Sequence, residues 1–350
     1  MRRLVSLALL SAAGLAHAQP QGRLLVLNKA DDTAQFIAQP GGESVTLPTG
    51  RGPHEAAVSP DGRLAVAANY ENPAAPTLTV YNADASEVVR TIDLGESKAP
   101  HGLAFVPGDG PDAGLLAITC EGSKHLVLIN IESGEVAARI GTGANGSHMV
   151  AITPDGARAF VANIPDGTVS AIDLAARTLL KVVPTGPGAE GIDVTPDGRE
   201  VWVANRSHSV SVIDAASLDV LETIECPGFP IRCKVTPDGA RVLVSCAQAG
   251  ELAVFDRKAR DETARVRILQ GDSSELGPIG ILITPGGGHA FVANSGHDEV
   301  VLVDLAALTV VRRIETGDTP DGLAWIPGSE REPRPEPANG AKAAQNDAAS

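Results

Sequence analysis

Aromatic side chains make up only 3% of the 350 residues, too few for a succession of base-stacking platforms. Positive charge is scarce as well: 28 lysines and arginines face 43 aspartates and glutamates, a formal net charge of −15. A field of that sign repels phosphate backbones, so nucleic acid is not an expected partner and cations or cationic partners are. The four cysteines form no Cys-x-x-Cys-His haem-attachment motif. There is no Gly-x-Ser-x-Gly nucleophile elbow and no phosphate-cradling Gly-rich loop ahead of a helix. Long hydrophobic runs are missing too. The longest near the start, Leu4 to Leu10, is too short to span a bilayer, so no membrane span is expected.

That short run has a specific setting. Arg2 and Arg3 precede it, and Ala16-His17-Ala18 follows it before Gln19, the three parts of a cleavable secretory signal. Residues 1–18 are therefore expected to be removed, leaving a periplasmic or secreted chain whose folded part is 19–328. Beyond it, residues 329–350 hold no apolar side chain large enough to anchor them and are expected to be disordered.

What the sequence has in plenty is punctuation: 37 glycines and 25 prolines. Pro60, Pro107, Pro154, Pro196, Pro237, Pro285 and Pro327 recur at intervals of about 41 to 48 residues, mostly inside a Thr/Ser-Pro-Asp-Gly phrase followed by a run ending in Ala-Asn. A repeat of that length made of strands and turns is one four-stranded propeller blade. The clearest unit predicts strands over 150–153, 159–163, 168–174 and 179–183. Pro154 presets the turn, and Gly156 accepts the left-handed conformation that returns the chain. The third strand recurs as β-branched runs such as Val169 to Asp173, Val210 to Asp214 and Val300 to Asp304, suited to packing between neighbouring blades. Arg23 to Asn28 reads as a second strand with no first strand before it, while Gly322 to Pro327 is a first strand with nothing after it. The expected fold is all-β: a seven-bladed β-propeller of four-stranded blades, with blade 1 closed by strands from both termini.

The phrases Thr153-Pro154-Asp155-Gly156 with Val161-Ala162-Asn163, Thr195 to Gly198 with Val203-Ala204-Asn205, and Ala290 to Asn294 resemble the YVTN-type β-propeller repeat family over about residues 23 to 328. The resemblance implies an exported propeller similar to those of nitrite reductases and quinoprotein amine dehydrogenases. It also implies a binding protein of the cell surface or periplasm. One resembling group binds DNA, a property the acidity of this chain argues against.

Aligning the starts of the first strands brings His54, His101, His148, Glu190, Ile231, Ile279 and Asp321 to one equivalent position, with Arg232 beside Ile231. The residues expected to bind a ligand are thus His54, His101, His148, Glu190, Arg232 and Asp321. Of these, His54, His101, His148 and Glu190 form a donor set that zinc or copper accepts. The competing reading has each histidine bonding a loop carbonyl at the entrance to its strand. A second ring, Asn28, Asn69, Cys120, Asn163, Asn205, Cys246 and Asn294, reads as turn-capping. Outside it lies a polar rim that includes Lys29, Tyr70, Lys124, His125, Arg206, His208 and His297.

Cys226, Cys233 and Cys246 cluster at blade 6, where a disulfide of Cys233 with Cys246 or Cys226 is expected in an oxidising compartment. Two functions follow. One is a binding or scaffold protein, monomeric, whose top face engages a small ligand, a metal ion or another exported protein. The other is a metal-assisted hydrolase or lyase using the three histidines with Glu190 or Asp321 as general acid/base, as streptogramin-lyase and lactonase propellers show this architecture permits.

Overall fold

Each Thr-Pro-Asp-Gly phrase folds as a hairpin that carries its own hydrogen bonds. In the computed structural model, which describes residues 19–72, 74–271 and 277–328, the Thr195 hydroxyl donates to Asp197 Oδ1 at 2.6 Å. The Arg199 amide donates to the same oxygen at 3.1 Å, and the Gly198 amide closes the turn onto the Thr195 carbonyl at 2.8 Å. Gly198 has φ +69°, a conformation that excludes most side chains. Residues 153–158 and 236–241 repeat the arrangement. The expected signal segment, 1–18, and the tail expected to be disordered, 329–350, lie outside the described residues.

The hairpins build seven antiparallel sheets of four strands. In the unit at 147–184 the strands are Ser147–Ile152, Arg158–Asn163, Thr168–Asp173 and Thr178–Pro184; the first, second and fourth are longer than the apolar runs suggested and the third is one residue shorter. Blade 1 is closed as expected. Pro320–Pro327 pairs with Gly22–Asn28 in the register Leu24 to Trp325 and Val26 to Leu323, and that sheet continues outward through Thr33–Gln39 and Ser44–Pro48. The one helical element among the described residues is a single 3-10 turn, Ser295–His297.

The second and third strands of each blade are buried on both faces because neighbouring sheets sandwich them, which is why they are mostly apolar, with an occasional buried serine such as Ser170 or Ser211. Val66 and Val80 of blade 2 meet Ile118 and Val127 of blade 3 in one such layer. Phe160 and Val169 of blade 4 meet Val201 and Val203 of blade 5 in the next. The outer strands are largely solvated, and they leave apolar side chains such as Leu180 and Leu221 exposed.

Two features of the innermost strands shape the centre. First, each blade has a bulge where its inner strand enters. In blade 2, Pro53 pairs with Asn69 and Ala56 with Ala67, so His54 and Glu55 together oppose the single residue Ala68. The same shift recurs in blades 3, 4, 5 and 7, with a shorter one in blade 6. A bulge re-aims the side chains it carries. Second, the residue after the ring position is often glycine. A Cβ on Gly102 would lie 2.7 Å from the His148 carbonyl oxygen, and one on Gly280 would collide with the Asp321 carbonyl. The inner strands therefore touch backbone to backbone, and the channel is narrow.

Candidate functional site

Because the channel is narrow, ring positions from different blades meet. The rings of His54 and His101 have centroids 4.0 Å apart, those of His101 and His148 are 3.6 Å apart, and His54 lies 6.2 Å from His148 although a whole blade separates them. Glu190, Arg232 and Asp321 complete the wall. The sequence-derived set of six is brought to one place, while Ile231 and Ile279, the two apolar members of the ring, contribute no donor.

His54 is held from both sides. Its Nδ1 lies 3.1 Å from Asp321 Oδ2, and Lys29 Nζ lies 3.1 Å from its Nε2. An ammonium can only donate, so Nε2 accepts and the ring hydrogen belongs on Nδ1, facing the carboxylate. Burial, with Lys29 and Arg232 adding to it, pushes the pKa of His54 well below the ordinary histidine value. His101 is lowered in the same way by burial and then by its histidine neighbours. It is fully buried, and neither of its ring nitrogens has a hydrogen-bond partner.

His148 differs. Burial alone would lower its pKa, but Nδ1 bonds Glu121, Nε2 sits 3.4 Å from Glu190 Oε1, and the two carboxylates raise it. Burial also works against ionisation of Glu190. The bonds from His148 and Arg206, with Arg232 at 3.1 Å, overrule it and hold the carboxyl at about 2. Arg232 reaches Glu55 at 2.7 Å and Asp321 at 3.8 Å. Burial raises the pKa of Asp321 in spite of that guanidinium. The centre thus sets Glu55, Glu121, Glu190 and Asp321 around Lys29, Arg206 and Arg232, with the His148 ring between Glu121 and Glu190.

Two overlapping groups have donor atoms within 4.8 Å of one another: His54, Glu55 and His101, and His101, Glu121 and His148. His101 belongs to both. Glu55 and Glu121 were not in the sequence-derived set. Glu55 follows the ring histidine, and only the bulge turns both neighbours inward. Glu121 opens the turn after the strand Leu116–Cys120, and its side chain bonds His148 while accepting from the Tyr70 hydroxyl at 2.5 Å. Of the rim residues, Lys29, Tyr70 and Arg206 join the cluster. His125 bonds Ser97 at 3.0 Å instead, and His208 accepts from the Gly228 amide at 3.2 Å.

The asparagine ring is structural, though not through the turn backbone. Asn163 Nδ2 donates to Thr168 Oγ1 at 3.2 Å and Ser170 Oγ at 2.9 Å, and Asn205 repeats this with Ser209 and Ser211, tying second strand to third. At blade 6 the sulfurs brought together are Cys226 and Cys246, 3.6 Å apart, while the Cys233 thiol donates to the Trp202 carbonyl at 3.1 Å.

The model of the YNCE-like β-propeller family, of which the YVTN-type repeat is a close variant, matches residues 115–277. No curated protein matches the sequence. Among solved structures, Kuenenia stuttgartiensis hydrazine synthase is similar with a TM-score of 0.67 and 20% identity over 79% of this chain and 90% of that one. A functionally unknown protein from Desulfotomaculum acetoxidans DSM 771 is similar with a TM-score of 0.74 and 15% identity over 88% of this chain and all of that one. At these identities the likeness concerns the fold.

Proposed function

We propose that this β-propeller, akin to the YNCE-like family, is an exported binding protein that holds a transition-metal ion, zinc or copper, on His54, Glu55 and His101 at the mouth of its channel. The observation that carries the reading is His101. A buried imidazole with two unpartnered nitrogens costs on the order of 1–3 kcal/mol for each orphaned polar atom. A cation coordinated there would offset that cost. Low pKa values keep His54 and His101 neutral, as ligation requires, and a carboxylate on the far nitrogen of His54 is the usual way a metal-binding imidazole is oriented.

Each carboxylate in the cluster is already engaged: Glu55 by Arg232, Glu190 by Arg206 and Arg232, Glu121 by His148 and Tyr70, and Asp321 by His54. Of the four, Asp321 alone keeps a buried oxygen, Oδ1, without a hydrogen-bond partner, and its Oδ2 is turned to His54, so we infer binding rather than hydrolysis or lyase chemistry. Elemental analysis and calorimetric titration with zinc and with copper test the reading. One ion per chain, abolished by His101→Ala with the fold intact by circular dichroism, is expected. Wild-type protein that retains no metal after equilibration and dialysis would refute it.

A further inference from the structure

We propose that the Lys29 ammonium occupies the cation's place at His54 and must be displaced when a metal ion enters, so that Lys29 sets the metal affinity of the cluster; this rests on the metal-site reading above. The lone pair that Lys29 engages, 3.1 Å away on His54 Nε2, is the one a metal would take, since Nδ1 faces the Asp321 carboxylate at 3.1 Å. An ammonium and a metal ion cannot share that nitrogen. Side by side in a poorly solvated channel they also repel each other strongly.

The fold lets the ammonium leave without moving the protein. Lys29 follows the second strand of blade 1, and its backbone amide is anchored to the Thr319 carbonyl at 3.0 Å, two residues before Asp321. The backbone is therefore pinned, and only the four-carbon stem needs to swing. Its tip also lies 5.9 Å from the centre of the Tyr70 ring, an aromatic face that favours an ammonium. The other two cations cannot play this part, because Arg206 and Arg232 are held by Glu190 and Glu55.

Competition for zinc with a chromophoric chelator tests the proposal. Lys29→Met removes the charge and keeps the stem, and it should bind zinc roughly tenfold or more tightly than wild type, while Lys29→Arg should not. In wild-type protein, zinc should also raise the reactivity of Lys29 toward an amine-acylating reagent, read by peptide mass spectrometry, as the side chain moves into solvent. If wild type binds zinc but Lys29→Met binds no more tightly, or Lys29 labelling stays flat on loading, displacement is overturned and the metal site stands. If neither protein binds zinc, the metal reading fails and takes this proposal with it. Binding by Lys29→Met alone would overturn the metal reading for the wild-type chain, and this proposal with it.

Discussion

Arg232 Nη2 lies 2.7 Å from Glu55 Oε1, joining blades 2 and 6 across the channel between residues 177 positions apart. These two sites carry long side chains where four other blades place glycine, so the pair fills the space that the backbone contacts leave open. Arg232 is also the cation that Glu190 and Asp321 face. Replacing it with Met should leave three buried acids short of a partner and lower stability by about 3–5 kcal/mol. Glu55→Gln should cost less, because Arg232 keeps its other partners. Urea unfolding followed by circular dichroism measures both, and a near-neutral Arg232→Met would show that the network is not structural.

The close approach of inner strands makes a second expectation. Gly280→Ala and Gly102→Ala insert a methyl group into a neighbouring backbone and should each cost about 1–3 kcal/mol. Gly110, with nothing within 4 Å of its would-be Cβ and no left-handed φ, should tolerate alanine within about 0.5 kcal/mol. Equal thermal midpoints for all three variants would mean the channel is wider than described.

Acid sensitivity should come in part from the turns. The Thr195 hydroxyl bond, against some opposing burial, and then the Arg199 amide and Arg257 hold the Asp197 carboxyl at about 2. Asp155 and Asp238 are lowered first by the hydroxyls of Thr153 and Thr236. A carboxyl whose folded pKa lies below its unfolded value of about 3.9 contributes stability that is complete above that value and fades as pH falls through the folded one. These groups are mostly exposed, so solvent screening keeps each contribution below about 1 kcal/mol. The triple variant Asp155→Asn, Asp197→Asn, Asp238→Asn should lose less stability than wild type between about pH 4 and pH 2 in urea titrations; parallel curves would contradict this.

In an oxidising medium the refolded protein should carry one disulfide, between Cys226 and Cys246, whose sulfurs already touch. Burial pushes the Cys120 thiol up to about 12 and raises Cys233 as well, so both should stay reduced and inert. Cys226→Ser should then lower stability by about 2–4 kcal/mol under oxidising conditions and much less in reductant. Non-reducing peptide mapping decides the connectivity, and a linkage through Cys233 would exclude this pairing.

The blade count, the turns and the closure of the ring were legible in chain order because each depends on local chemistry that repeats: proline and glycine at fixed offsets, and β-branched runs at a constant period. His54, His101, His148, Glu190 and Asp321 were legible for the same reason, since equivalent repeat positions face the same axis, and Arg232 was legible as the neighbour of one such position. Nothing local reveals how wide that axis is. Whether His54, His101 and His148 touch depends on glycines in other blades that let backbones meet, and Glu55 and Glu121 join them only through a bulge and the turn after a strand. The cysteine partners followed the same logic. Cys233 and Cys246 flank one hairpin in the text, but the path of the chain entering blade 6 sets Cys226 against Cys246 instead. Repeat chemistry acts over a few residues and is written in order along the chain; the chemistry of the site arises where strands from distant blades converge, and packing across the whole ring sets those distances.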